Sequence, residues 1–141
     1  MRYRLEIKEE ARQHLRALPK EQRRNVGRRL DALQIDLSGD VKKLTAKTHE
    51  YRLRVGTLRV LFTLEKDLVS VYAVKDRKKA HMGSVASPKK PTLESLAAEM
   101  RRLQERIEDI EDLIELRSAI QRNAGKPGTP WEQVKAELDL I

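Results

Sequence analysis

The sequence predicts an α+β domain followed by a helical segment, and three observations lead to this prediction. A strand pattern near the N-terminus is followed by two helical patterns, and three strand patterns follow from residue 50. The composition then changes near residue 81. We therefore expect a β-α-α-β-β-β unit over 1–81, with its helix pair on one face of an antiparallel sheet. Residues 82–91 are expected to be a linker, and 92–141 to be helical.

The first unit opens with one strand and two helices. Polar and apolar residues alternate in "YRLEIK" (3–8), as in a half-buried strand. The stretch "EEARQHLRAL" has helical spacing of its apolar residues and ends at Pro19. A second helix is predicted over 21–37, with one apolar face, and "SGD" (38–40) ends it. This face consists of Val26, Leu30, Leu33 and Leu37.

Three further strands are predicted after a polar loop. The loop carries three lysines, Lys42, Lys43 and Lys47. "YRLRV" and "LRVLFTL" read as strands joined at Gly56-Thr57, which predicts a hairpin. "LVSVYAV" (68–74) is the third strand of this meander.

The C-terminal segment is predicted to hold a long helix and a short one. Apolar residues spaced three and four apart over 93–114 are typical of a coiled coil, so we expect a homodimer through this helix. This seam consists of Leu93, Leu96, Met100, Leu103, Ile107, Ile110 and Ile114. Thr129, Pro130 and Glu132 predict a capping box for the last helix. Over 113–141 the apolar stripe widens and is expected to pack on the first unit. The residues expected in that interface are Leu113, Leu116, Ile120, Trp131, Val134 and Leu138.

Charge and composition narrow the classes of function. Residues 1–81 hold 21 Lys/Arg and 11 Asp/Glu, net +10, whereas residues 92–141 hold 7 and 11, net −4. Such a basic unit attracts nucleic acid, and the acidic segment is its natural electrostatic partner. The chain has no cysteine and no apolar run long enough to span a bilayer. We therefore expect a cytoplasmic protein without a membrane partner.

Three arginines on two adjacent strands suggest an anion site. Arg52 and Arg54 are two apart and share a face of their strand, and Arg59 is expected on the same face of the next strand. Guanidinium groups bind phosphates bidentately and can stabilise the charge of a phosphoryl transition state. RNA supplies its own nucleophile, the 2′-OH, so such a site needs neither metal nor cofactor, and no ligand cluster for either occurs in the sequence. The alternative interpretation is an ordinary solvated sheet face.

Residues 40–81 resemble the RelE/ParE superfamily of bacterial type II toxins. The resemblance is carried by "YRLRVG…RV", the following strand and the basic exit "KDRKKAH". It covers the whole first unit and implies a small toxin inhibited by an antitoxin. RelE-type members are ribosome-dependent endoribonucleases that cut mRNA, whereas ParE-type members inhibit DNA gyrase.

The resemblance assigns roles to individual residues. It implies catalytic roles for Arg54, Arg59, Arg77 and His81, with Arg59 at the transition state and Arg77 with His81 near the leaving oxygen. At the position of His81 the family usually has a tyrosine. The residues expected to bind RNA are Arg52, Lys42, Lys43, Lys47, Lys75 and Lys78.

The segment after the linker resembles the toxin-binding part of cognate antitoxins. The resemblance is carried by "RIEDIEDL" and "PWEQVKAEL". "HMGS" (81–84) is what a common cloning junction encodes, and Met82 also fits an antitoxin's own start, so a natural and an engineered join both remain open. The chain is therefore interpreted as a RelE-like mRNA endonuclease joined to its inhibitor, the two in contact within one chain or between chains. The alternatives are a ParE-like gyrase inhibitor and a non-toxic interaction protein.

Overall fold

The computed structural model describes residues 3–37, 39–45, 49–76 and 93–138. Four of the residues with a predicted role lie outside these ranges, as does the predicted linker, 82–91. Those four residues are Lys47, Arg77, Lys78 and His81.

The described chain is α+β, as the sequence predicts, with four helices and one six-stranded sheet. The elements are β1 (Arg4–Ile7), α1 (Glu9–Ala17), α2 (Lys20–Asp36), β2 (Asp40–Lys43), β3 (Glu50–Val55), β4 (Leu58–Glu65), β5 (Leu68–Asp76), α3 (Leu93–Arg122), β6 (Thr129–Pro130) and α4 (Trp131–Glu137). Within the described ranges, no helix combines the length and the apolar character that a bilayer crossing requires.

The sheet is mixed, so the predicted antiparallel sheet is wrong in one pairing. The strand order is β2-β3-β4-β5-β1-β6, and β1 runs parallel to β5 while the other neighbours are antiparallel. The cause is the helix pair, which carries the chain from β1 to the far edge at β2. The meander then returns strand by strand, and β5 arrives beside β1 in the same direction.

Strand β2 replaces the loop that was predicted around Lys42 and Lys43, so that prediction is wrong. Lys42 lies opposite Arg52 and Lys43 opposite Tyr51 in an antiparallel ladder with β3. The sequence pattern did not predict this strand, because "DVKK" has one apolar residue and is held by main-chain pairing with β3. Lysine on an edge strand also discourages pairing with other chains.

The sheet has two faces of different chemistry. Along β3, Tyr51, Leu53 and Val55 pack into the main core under α1 and α2, as do Leu58, Val60 and Phe62 of β4. The opposite face carries the arginines together with a smaller apolar cluster. The buried members of that cluster are Leu61, Ala73, Leu116 and Ala119, so the C-terminal part of α3 packs on this face.

The C-terminal helix begins differently from the prediction. Thr129 and Pro130 pair with Ile7 and Glu6 as β6, and Pro130 is the N-cap of α4 with no side-chain capping bond. The predicted capping box is therefore wrong, because strand pairing holds Thr129 one position too early to cap. The main core also takes in Trp131, Val134 and Leu138.

Candidate nucleic-acid interface

The three arginines, Arg52, Arg54 and Arg59, lie on one face of adjacent strands, which we call the arginine face. Arg54 lies directly opposite Arg59 in the β3–β4 ladder. Side chains in such a pair have Cβ atoms about 4.5–5.5 Å apart, and like charges placed so are destabilising. The arrangement therefore requires anions, either from the chain or from a ligand.

Helix α3 supplies these anions through three carboxylates, Glu108, Asp109 and Asp112, which we call the acidic stripe. Arg52 is 1% exposed, and its Nη1 donates to Asp109 Oδ1 at 2.7 Å and to Asp112 Oδ2 at 2.9 Å. A charge buried this fully is tolerated only when it is paired and hydrogen-bonded. Arg52 is therefore buried beneath α3, on the strand face that the sequence predicts for it.

The other two arginines are bound by the same stripe. Arg59 Nη1 donates to Asp112 Oδ1, and its Nη2 donates to the carbonyl of Asp76 at 3.3 Å. Arg54 Nη2 donates to Glu108 Oε2 at 3.3 Å. Asp112 therefore bridges Arg52 and Arg59 through its two oxygens.

Burial and ion pairing shift the pKa values of the two central residues of this network, Asp112 and Arg52. Burial raises the pKa of Asp112, and the guanidinium groups of Arg52 and Arg59 act against this rise. Burial by itself would lower the pKa of Arg52, but its hydrogen bonds to Asp112 and Asp109 outweigh that effect and raise the pKa. Both arginines thus favour the ionised form of Asp112, and losing either would leave the buried charges poorly compensated.

Lysines extend the network at its edges. Lys42 Nζ donates to Asp109 Oδ2 at 2.7 Å, and Lys75 Nζ lies 3.9 Å from a carboxylate oxygen of Glu115. Lys43 is exposed and lies over the ring of Tyr51 at 6.0 Å, outside the network. Among the described lysines with a predicted RNA role, Lys42 and Lys75 therefore join the arginine face and Lys43 does not.

The six predicted interface residues divide between two separate surfaces. Leu116 is buried against Leu61 and Ala73, Ile120 packs beside them, and Leu113 is half-buried on the same helix. Trp131, Val134 and Leu138 instead lie in the main core across the sheet. Trp131 Nε1 donates to Asp31 Oδ1 at 2.9 Å, and Lys135 donates to the same oxygen at 3.1 Å.

The sequence reasoning missed the residues that hold α3 in place. Besides the acidic stripe, Arg117 donates twice to Glu50, at 2.9 and 3.1 Å, and Arg122 donates twice to Glu10, at 2.7 and 2.6 Å. A signal was present, because Asp112 lies four positions after Glu108 and three after Asp109, spacings that place side chains on one helix face. That face lies opposite the heptad seam.

The last four residues of the seam predicted for a coiled coil lie exposed on the far side of α3. Leu103, Ile107, Ile110 and Ile114 are 51%, 47%, 56% and 60% exposed. Residues at these positions are about half a helical turn from Asp112. The helix therefore has one face on the sheet and an opposite apolar face in solvent.

The chain is similar to chains of three solved structures. No protein-family model and no curated protein matches the chain. A chain of the archaeal RelE–RelB complex from Pyrococcus horikoshii OT3 is 28% identical, with a TM-score of 0.50 over 56% of this chain and 99% of that chain. A chain of the RelBE2 toxin–antitoxin complex from Mycobacterium tuberculosis is 22% identical, with a TM-score of 0.49 over 55% of this chain and 100% of that chain. A chain of the RelB–RelE complex from Methanococcus jannaschii is 20% identical, with a TM-score of 0.46 over 56% and 98%.

Of these three chains, the Pyrococcus one has a TM-score of 0.50, and the other two have TM-scores below 0.5. The similarity to the Pyrococcus chain covers nearly all of that chain and little more than half of this one. The similarity of this chain to the Pyrococcus RelE–RelB complex supports a toxin–antitoxin relationship of RelE/RelB type.

Proposed function

We propose that residues 1–81 are a RelE-like, metal-independent mRNA endoribonuclease and that residues 92–141 inhibit it within the same chain. The observation that carries the proposal is the pairing of every arginine of the arginine face with a carboxylate of α3. The share of this chain that matches the Pyrococcus neighbour, 56%, is also about the share that residues 1–81 occupy.

The chemistry assigned to the arginine face is phosphodiester cleavage by the RNA's own 2′-oxygen. That oxygen attacks the adjacent phosphorus, and the bond from phosphorus to the 5′-oxygen breaks. Arg59 stabilises the extra negative charge on phosphorus, while Arg52 and Arg54 bind and orient the RNA. Arg77 and His81 serve the leaving oxygen in this proposal, with the ribosome presenting the mRNA.

The acidic stripe inhibits by occupying the positions where phosphates would bind. A carboxylate resembles part of a phosphate group, since both accept from guanidinium forks. The fit of the stripe is incomplete, because the buried Nε atoms of Arg52 and Arg59 have no hydrogen-bond partner among the described residues. An RNA phosphate offers further acceptor oxygens, so it can compete for the site once α3 is loosened.

The test removes the charge of the stripe in the full chain. Glu108→Gln/Asp109→Asn/Asp112→Asn should loosen α3 and give cleavage of ribosome-bound mRNA, whereas the parent chain should give none. Glu99→Gln, an exposed position on the same helix, is the control and should stay inactive. Adding Arg59→Ala to the loosened chain should lower the cleavage rate by about 10²–10³.

The cleavage assay also separates the proposal from its rivals. A loosened chain that folds but leaves mRNA intact contradicts the nuclease assignment. If that chain instead inhibits DNA supercoiling by gyrase, the ParE-like function replaces it. If it does neither and expression leaves growth unchanged, the arginine face is only part of a non-toxic interaction surface.

The exposed seam is assigned to a homodimer. In heptad register, Arg106 and Glu111 flank the seam at positions that face each other across a parallel two-stranded coiled coil. Because the seam lies opposite the acidic stripe, two chains can pair through α3 while each keeps its own arginine face covered.

A further inference from the structure

A second cationic site lies on the far side of the β3–β4 hairpin from the arginine face. A cleft of about 490 Å³ opens between α2 and the hairpin tip. It is lined by Asn25, Arg28, Arg29, Ala32, Val55 and Gly56. Both arginines and Asn25 are exposed, so their polar ends are available to a ligand.

The cleft differs from the arginine face because none of the residues that line it carries a carboxylate. Arg28 donates to the neutral side chain of Asn25, and neither Arg28 nor Arg29 forms an ion pair with any described residue. Each arginine of the arginine face thus pairs with a carboxylate, whereas no described carboxylate pairs with Arg28 or Arg29. Two guanidinium forks and one amide converging on a cleft provide the donors that phosphate oxygens accept.

The position of the cleft connects it to the proposed RNA path. Val55 and Gly56 directly follow Arg54 at the end of β3, and two residues along a strand span about 6.6 Å. A polyanion lying on the arginine face therefore reaches the cleft by passing the hairpin tip. Helix α3 covers the arginine face but contributes no residue to the cleft lining.

We propose that this cleft is a second phosphate-binding site, which holds the backbone of an RNA strand and stays open while α3 covers the arginine face. The choice of RNA rests on the proposed function. The inhibited chain then still binds RNA without cutting it, and the cleft keeps it near its substrate until α3 is displaced.

The experiment measures RNA binding by the full parent chain, in which α3 remains docked. The probe is a fluorescent single-stranded 20-nucleotide RNA, followed by anisotropy over a range of KCl concentrations. Arg28→Ala/Arg29→Ala should weaken binding about tenfold, as expected for two solvent-exposed charge-assisted contacts. It should also reduce the slope of log affinity against log salt by about 1.4, from about 0.7 for each phosphate contact.

The matched control is Lys20→Ala/Arg24→Ala, which removes the same charge from exposed positions on α2 outside the cleft. An equal loss in the control, or no RNA binding by the parent, overturns the proposal. Anionic phosphatidylserine vesicles are the second probe, and dependence on Arg28 and Arg29 there but not with RNA would also overturn it. Because this assay needs no cleavage, a loosened chain that fails to cut RNA contradicts the nuclease and leaves the cleft intact.

Discussion

The two parts of the C-terminal segment attach to the first unit by different physics. Helix α3 is held mainly by ion pairs over the arginine face, with a small apolar cluster around Leu116. Strand β6 and helix α4 instead add a strand to β1 and place Trp131 and Val134 in the main core. The second attachment extends the sheet and the main core, whereas the first consists mainly of pairs between arginines and carboxylates.

The two attachments are therefore expected to differ in how strongly they depend on salt. Apolar contacts carry no charge that salt can screen. Ion pairs of α3 that are partly exposed, such as Arg122 with Glu10, weaken as ionic strength rises, and the buried pair of Arg52 with Asp112 weakens less. The segment can therefore remain anchored through α4 while α3 leaves the arginine face. Under the proposed function, a segment tethered in this way returns to the arginine face at a high effective concentration.

The largest effect expected is the loss of the apolar anchor. Trp131 is 1% exposed in the core, so Trp131→Ala should lower the free energy of unfolding by about 3–5 kcal/mol. Trp131→Phe keeps most of the apolar volume and loses the bond to Asp31, which should cost about 1 kcal/mol. Urea unfolding of the full chain, followed by circular dichroism, measures both.

Exposed Gln133 on the same helix provides the control, since Gln133→Ala should leave the unfolding midpoint unchanged. A loss below about 1 kcal/mol for Trp131→Ala would mean that α4 only rests on the surface. The comparison between the two attachments would then fail.

Local patterns predicted the elements well, and long-range contacts account for what they missed. Alternation in "YRLRVGTLRVLF" placed Arg52, Arg54 and Arg59 on one face, because side-chain direction in a strand is a local property. The burial of Arg52 depends on residues 57 and 60 positions later, and no local pattern encodes that distance. The parallel pairing of β1 with β5 was missed for the same reason.

The position of Thr129 shows the same limit at smaller scale. Its spacing to Glu132 fits a capping box, but pairing with Ile7 holds Thr129 in a strand instead. Leu61 was the local clue that the arginine face is covered, since it places an apolar side chain between Arg59 and Thr63 on the supposedly wet face.

The two faces of α3 allow a second test of the comparison. If the exposed seam pairs two chains, light scattering of the parent should give about twice the monomer mass of 16.3 kDa. Leu103→Asp/Ile107→Asp should return the monomer mass while the chain stays folded, because both side chains are in solvent within one chain. Ile35 on α2 is similarly exposed, at 51%, and Ile35→Asp should leave the dimer intact. A monomeric parent would refute the assignment.

The smallest expected effect lies where the end of α3 meets α1. His14 Nδ1 accepts a hydrogen bond from the Val74 amide at 3.1 Å, and burial lowers the pKa of His14, with Lys75 adding to the fall. The charged groups around it are Glu10, Lys75, Glu115 and Arg122. A hydrogen bond from Arg122 likewise lowers the pKa of Glu10.

Both shifts make stability fall as the pH falls. Below the ordinary His14 pKa of 6.5, the unfolded chain takes up a proton that the folded chain resists, so the unfolded state gains. The urea midpoint should therefore decrease between pH 7.5 and 5.5, and His14→Gln should flatten that decrease because glutamine does not titrate. His49→Gln, at an exposed position near β3, is the control and should keep the full decrease. If the His14→Gln chain keeps the pH profile of the parent, His14 does not cause the loss of stability at low pH, and this prediction is wrong.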